Sequence, residues 1–292
     1  MSNRSASTNR AARLANPIFI GGAPRSGLTL LRLLLDMHPH ICCPPDASIV
    51  PSIALQWRDI EQTLGEHLSE AYGMRRHDLR QLFRSTIEDL LSGSLAVSGK
   101  KRLAEKSAMN AVALDALGSL FPDASLVLLV RDGRDVVASL LQRDWRNPAT
   151  GDPFEYTQDA EVAARYWSQL VELALQARDR MGHPERVLIL RYEQLVEHPE
   201  KSLRALFDHI GATTDFAVLD FHRSRKPLEG MEKESEADLA AQFGEFGIES
   251  QVGAPGIAVW NLELFDDAPW PARHHEHACA HEHGLGDRVG DE

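Results

Sequence analysis

Two stretches of this chain combine residue types that hold anions. In the first, Gly21-Gly22-Ala23-Pro24-Arg25-Ser26-Gly27-Leu28-Thr29-Leu30-Leu31 follows the apolar run Ile18-Phe19-Ile20. A strand ending in glycines, then a short turn, then a helix start, leaves backbone N–H groups pointing into the turn. The helix dipole adds partial positive charge at the same place. Arg25, Ser26 and Thr29 contribute a guanidinium and two hydroxyls within a few residues. The spacing Gly22-x-x-x-x-Gly27 fits the Walker A frame, and Thr29 fits its hydroxyl position, but Leu28 stands where that frame needs lysine. The loop is expected to bind an anion without being an ordinary ATP- or GTP-hydrolysing site. A plain glycine turn is the other reading of the spacing alone.

The second stretch is Val130-Arg131-Asp132-Gly133-Arg134-Asp135-Val136-Val137-Ala138-Ser139, with Arg143 beyond. A strand ending at Val130 puts Arg131 at the carboxyl end of a parallel strand, where open α/β sheets bind ligands. Ser139 and Arg143 are four apart, so one helix face would carry both. Two guanidiniums and a hydroxyl suit a phosphate, because arginine can offer it bidentate contacts. The same residues would also serve as a solvated ion-pair cluster, with Asp132 and Asp135 as partners.

These side chains need elements to position them. Residues 17–21 read as a strand and 28–37 as a buried, nearly all-apolar helix. Leu79, Leu82, Phe83, Thr86 and Leu90 suggest an amphipathic helix, and Leu126-Val127-Leu128-Leu129-Val130 a central parallel strand covered on both faces. Helices are expected at 133–142 and 159–178, with a short strand at 187–190. Pro199 suits a first helical position and Gly211 a stop, with Leu203, Leu206, Phe207 and Ile210 on one face between them. Strands alternating with helices predict an α/β fold, a parallel β-sheet flanked by helices in a single domain. The periodicity weakens after about 225.

Composition sets bounds on partners. A chain of 292 residues with 43% hydrophobic content can build a sizeable core, and a net charge of −12 argues against a nucleic-acid surface. Three cysteines make no disulfide framework. No run approaches the ~18 apolar residues of a membrane span. Residues 1–16 are polar and lack the apolar core of a secretory signal, so they read as a disordered lead-in to a cytoplasmic protein.

Taken together, the motifs resemble those of sulfotransferases that use 3′-phosphoadenosine 5′-phosphosulfate (PAPS). Ala23 to Leu31 is similar to that family's 5′-phosphosulfate loop, and Arg131 to Ser139 to its 3′-phosphate motif. The branch containing tyrosylprotein sulfotransferases also carries Leu35-Asp36-Met37-His38-Pro39 and the long match Tyr192 to Arg204. The resemblance covers about 17 to 211, with gaps in 50–100, and implies a P-loop NTPase-like domain spanning 17–270. It implies that Ser26, Gly27, Leu28, Thr29 and Leu30 cradle the phosphosulfate, with Arg25 on the transferring sulfuryl group. Asp46 falls at the acidic general base, usually glutamate, and Lys106 at a lysine that assists the leaving group. Arg131, Ser139 and Arg143 would hold the 3′-phosphate, and Tyr192 would lie near the adenine. Transfer to a small-molecule or peptidyl hydroxyl, or to an amine, would release adenosine 3′,5′-bisphosphate. No metal is required, since the leaving phosphate is already stable.

The other readings are specific. Asp46 after Pro44-Pro45 could simply form an Asx turn, and Lys106 could be a surface lysine. Cys43 matches a cysteine that is disulfide-bonded in secretory relatives, but the partner position holds Ala104, which suits a reduced, cytoplasmic relative. His38 and His40, flanking Pro39, are expected to cap or pack. Of the C-terminal cofactor residues of that branch, only Ser250 offers a candidate. His274, His275, His277, Cys279, His281 and His283 fall in a polar tail at 271–292 that reads as flexible, with incidental metal affinity. A P-loop small-molecule kinase and a non-catalytic nucleotide-binding module are the alternatives, the former opposed by Leu28.

Overall fold

The structure, a computed structural model, describes residues 14–147 and 150–223. The expected lead-in falls outside these except for residues 14–16, and Leu14 within it is buried. Ser250 and the His-rich tail also lie outside the described residues.

Five parallel strands form the sheet: β1 (Ile18–Gly22), β2 (Ile41–Cys42), β3 (Arg102–Lys106), β4 (Ser125–Val130) and β5 (Val187–Arg191), in the order β2-β3-β1-β4-β5. The central strand β1 pairs with β3 on one side, Ile20 opposite Lys106, and with β4 on the other, Ile20 opposite Val127. The chain leaves β1 toward β3 and β2, then returns across it to β4. That reversal opens a crevice at the carboxyl ends of β1, β3 and β4. The loop after β1, the Arg131 stretch after β4 and Lys106 at the end of β3 all lie there.

Alternation along β1 separates two packed layers. Ile18 and Ile20 join Leu31, Leu34 and Leu35 of α1 (Leu28–Met37) and Leu203, Leu206 and Phe207 of α8 (Pro199–Ile210) in one buried cluster. Phe19 points the other way, its ring 5.2 Å from Phe121. The second layer comprises α2 (Ile49–Tyr72), α3 (Arg76–Ser98), α4 (Leu114–Leu120), α5 (Gly133–Leu140) and α6 (Ala160–Arg180), with short α7 (Tyr192–Glu197) leading into α8. In α8 the expected signals act as read, with Pro199 in the first turn and Gly211 at φ 65° ending the helix.

Two expectations need correcting. The helix around 79–90 exists as α3, but its buried face runs through Leu79, Ile87 and Leu91, and Leu82 and Leu90 are exposed. The helix expected at 133–142 ends at Leu140, so Arg143 lies past its end rather than on its face. The Arg143 N–H donates to the Leu140 carbonyl, turning the chain there.

Candidate active site

The loop between β1 and α1 takes a shape that few residues tolerate. Gly27 has φ 94° and Arg25 φ 71°, both in the left-handed region. A β-carbon at Gly27 would collide with the Tyr192 ring, which lies directly against the loop. No side chain caps the start of α1 from Gly27 and no acidic residue stands in its first turn, so the partial positive charge of the helix N-terminus faces the loop. Ser26 is fully buried, and its hydroxyl has no hydrogen-bond partner. Gly27→Ala should therefore combine backbone strain of roughly 1–3 kcal/mol with displacement of Tyr192. Gly73→Ala, at φ 66° in open space, carries the strain alone. Thermal unfolding should show both variants destabilised, and nucleotide affinity should fall only for Gly27→Ala. Equal affinities in the two variants would mean that the ring contact is idle.

Three guanidiniums converge beside this loop. Arg25 Nε donates to Ser139 Oγ at 2.9 Å, and Arg131 Nη1 donates to the Arg25 carbonyl at 3.0 Å. The Arg131 guanidinium also lies over the Tyr192 ring, 4.4 Å from its centre. Burial, and then the charges of Arg143 and Arg131, hold the Arg25 guanidinium below its usual range. The buried Nε atoms of Arg131 and Arg143 have no hydrogen-bond partner. Among the described residues counter-charge is limited: Asp135 meets Arg131 at 3.5 Å from an exposed position, Asp132 turns to Arg134 at 2.5 Å and caps α5, and the Glu193 carboxylate accepts the Asp132 N–H at 2.8 Å. The ion-pair cluster is thus real but peripheral, leaving positive charge in excess at the crevice.

A second group sits at the end of β3. Lys106 is only 4% exposed, and its ammonium approaches Asp46 Oδ2 at 3.4 Å. Asp46 Oδ1 accepts from the Ser48 N–H at 2.6 Å, the Ser48 hydroxyl at 3.0 Å and the Ser107 hydroxyl at 2.5 Å. The Asx turn and the Lys106 contact coexist, one on each carboxylate oxygen. Behind them Glu105, fully buried, lies 2.5 Å from Ser107 Oγ through Oε1 and accepts from Asn110 Nδ2 at 2.5 Å on Oε2. Burial above all, then the Asp46 charge, pushes the Glu105 carboxyl up to about 7.

That shift has a consequence for stability. The folded form binds a proton on Glu105 that the unfolded chain releases near 4.5, so its contribution is complete below 4.5 and is lost as pH rises through about 7. The thermal midpoint is expected to fall across this window, and Glu105→Gln to flatten the fall. Parallel curves for the two proteins would show that Glu105 does not titrate there.

The profile of the Sulfotransferase family matches residues 17–215. The chain belongs to the sulfotransferase family. Among curated relatives, Protein-tyrosine sulfotransferase A of Caenorhabditis elegans is 30% identical over 205 residues, covering 69% of this chain and 51% of that protein. The Protein-tyrosine sulfotransferase of Drosophila melanogaster is 31% identical over 208 residues, covering 69% of this chain and 39% of that one. The chain spans about half or less of the length of these relatives. In structure it is similar to the sulfotransferase domain from the curacin biosynthetic pathway, with TM-score 0.52 and 20% identity over 85% of this chain and 95% of that one. The α/β fold with its P-loop NTPase-like parallel sheet is thereby shared.

Within this sulfotransferase fold the expected site residues form two groups. Arg25, Arg131, Ser139, Arg143 and Tyr192 gather at the ends of β1, β4 and β5, and Ser26 to Leu30 wrap the loop beside them. Arg25, expected to face the transferring group, has its Nε bonded to Ser139. Asp46 and Lys106 form the other group, and a surface position for Lys106 is excluded by its burial. His38 is structural: its Nδ1 accepts from the His40 N–H at 3.2 Å, which leaves Nε2 to donate to the Thr213 carbonyl at 3.1 Å.

Sequence reasoning missed Ser107, Glu105 and Asn110, because β3 itself went unrecognised among its charges. The alternation of Glu105 and Ser107 along an extended segment was the available signal, since residues two apart share one face of a strand. Among the described residues no helix is long and apolar enough to cross a membrane.

Proposed function

We infer that this sulfotransferase moves a sulfuryl group from PAPS to a hydroxyl or amine acceptor and releases adenosine 3′,5′-bisphosphate. The observation that carries this reading is the excess of positive charge contributed by Arg25, Arg131 and Arg143, next to a loop that also offers helix N–H groups. A donor with two separated anionic ends uses both features, the loop at its phosphosulfate and Arg131, Ser139 and Arg143 at its 3′-phosphate. Tyr192, already under a guanidinium, offers a flat face to the adenine.

Sulfuryl transfer resembles phosphoryl transfer, an in-line displacement governed by positioning and electrostatics. Asp46 accepts the acceptor's proton, because its Oδ1 is occupied by three donors and Oδ2 has only the longer Lys106 contact. Lys106 steadies charge on the leaving phosphate oxygen, and Arg25 brings charge from the loop to the sulfuryl group. The buried carboxylate–ammonium pair also favours an enzyme over a binding module, since nucleotide retention alone requires neither group. For a kinase, Leu28 removes the loop lysine.

The relatives named protein-tyrosine sulfotransferases make a tyrosyl peptide the first acceptor to try, with simple phenols and aliphatic alcohols beside it. The domain proposed for this activity is 17–270. A cytoplasmic setting suits the free thiols of Cys42 and Cys43, the latter buried with its thiol pushed well above the usual range. Thermal-shift measurements with PAPS, adenosine 3′,5′-bisphosphate, ATP and GTP test the reading. The first two should raise the midpoint strongly and the others little, and a larger shift with ATP would overturn it. Turnover should also survive chelation by EDTA, because arginine, lysine and backbone N–H groups handle the donor's charge. Loss of activity restored by Mg²⁺ would favour the kinase.

A further inference from the structure

The mechanism above leaves one buried acid without a role. Ser107 Oγ lies 2.5 Å from Asp46 Oδ1, 2.5 Å from Glu105 Oε1 and 3.2 Å from the Ser48 nitrogen. A hydroxyl has one proton to donate and two lone pairs to accept with. The Ser48 N–H, shared with the nearer Asp46 Oδ1, faces one lone pair. The two carboxyl contacts then need one bond given and one received, so one of the two carboxyl groups must carry a proton.

Which one carries it follows from the other partners. Asp46 Oδ1 already receives two further donors from Ser48, which leaves no room for a proton of its own on that oxygen. Glu105 receives the Asn110 amide on Oε2, so Oε1 is free to carry the proton. Assigned this way, every contact has one donor and one acceptor: Glu105 Oε1–H to Ser107 Oγ, and Ser107 Oγ–H to Asp46 Oδ1. The mirror assignment, Asp46 Oδ1–H to Ser107 Oγ, would put a proton on an oxygen that already receives both Ser48 donors. With neither carboxyl protonated, two sets of lone pairs would face each other at 2.5 Å.

We propose that Glu105 is a positioning residue that works in its neutral form, fixing the Asp46 carboxylate through the Ser107 hydroxyl so that Oδ2 faces the acceptor. The inference rests on the reading of Asp46 as the proton acceptor and adds the device that holds it in place. No proton crosses this chain during the reaction: the acceptor's proton goes to Asp46 Oδ2, and Glu105 keeps its own. The charged and titratable groups facing Glu105 are Asp46 from the loop after β2, Lys106 on β3 itself, and the thiol of Cys43. When Glu105 ionises, the single Ser107 proton must serve two carboxylates, and Asp46 loses its fixed donor. Turnover should then decline as pH rises through about 7.

Two measurements test the chain of bonds. Infrared difference spectra of the intact protein across pH 5 to 9 (roughly two units either side of the Glu105 transition) should show a protonated-carboxyl band vanishing with that transition. The band should be absent in Glu105→Gln and retained in Asp46→Asn. This measurement needs no acceptor. A band that disappears in Asp46→Asn instead, or no band at all, overturns the assignment.

Kinetics with a tyrosyl peptide supply the second test. Ser107→Ala and Glu105→Ala should each lower kcat by about 10- to 100-fold, the worth of one hydrogen bond to a charged group. KM for the donor should be unchanged in both. Glu105→Gln, whose amide N–H can replace the carboxyl proton, should recover to within about fivefold of wild type and lose the decline near neutral pH. A Gln variant as slow as Ala would show that Glu105 must ionise, which contradicts the proposal. Should Asp46→Asn itself prove fully active, the proton acceptor has been misread, whereas the infrared result still reports where the Glu105 proton lies.

Discussion

Adenosine 3′,5′-bisphosphate is expected to bind at least ~100-fold more tightly than 5′-AMP, with Arg131→Ala erasing most of the difference. Each charge-assisted hydrogen bond to the 3′-phosphate contributes about 1.5–3 kcal/mol, and about 1.4 kcal/mol is tenfold in affinity. Arg131 sits at the end of β4, held between the Arg25 carbonyl and the Tyr192 ring, and its Nε is buried without a partner. Its guanidinium is therefore oriented before the ligand arrives, which limits the entropy lost on binding. Affinity for 5′-AMP should change much less, since that nucleotide lacks the group that Arg131 contacts. Arg143→Ala should act in the same direction. Calorimetric titration of both nucleotides into wild type and variants reads the gap directly, and equal affinity of the wild type for the two would sink the 3′-phosphate assignment.

The second large effect concerns Asp46. Removing a general base lowers turnover by ~10²–10⁴-fold, and Asp46→Asn should lower kcat by that order. Donor affinity should barely move, because the carboxylate meets Lys106, Ser48 and Ser107 rather than the anion-binding loop. Asp46→Glu should keep part of the activity, since the resemblance implies a glutamate at this position. His38 is no substitute base, with both ring nitrogens engaged in structural bonds. Single-turnover rates with saturating PAPS measure this step, and near-wild-type rates for Asp46→Asn would move proton removal elsewhere.

Legibility differed between the two halves of the site for physical reasons. The anion-binding half is local: Ile18 to Leu31 reads as strand, turn and helix because each part follows from its own composition, and β4 with Arg131 at its end reads likewise. The proton-handling half is not local. Asp46 and Lys106 meet across 60 residues of chain, brought together because β2 and β3 are neighbours in the sheet. β3 hides its identity, since Arg102, Glu105 and Lys106 look like surface residues. Each is instead matched by a specific partner: Arg102 by the Ile210 carbonyl and Ser125, Glu105 by Asn110 and Ser107, Lys106 by Asp46. Periodicity cannot register such a strand, because polar groups are buried only where partners from distant segments satisfy them. The position of Arg143 failed for a smaller reason. The i, i+4 rule presumes a helix that continues, and α5 stops at Leu140.

Sulfuryl transfer itself tests the assignment of this active site most directly. Purified protein incubated with PAPS carrying a radiolabelled sulfuryl group, and with a tyrosyl peptide among a panel of phenols and alcohols, should move label onto an acceptor. Adenosine 3′,5′-bisphosphate should appear in equal amount. The transfer should persist in chelator, slow by ~10²–10⁴-fold in Asp46→Asn and need far more PAPS in Arg131→Ala. Tight binding of PAPS with no label transferred to any hydroxyl or amine, while the protein phosphorylates the same panel from ATP, would contradict it.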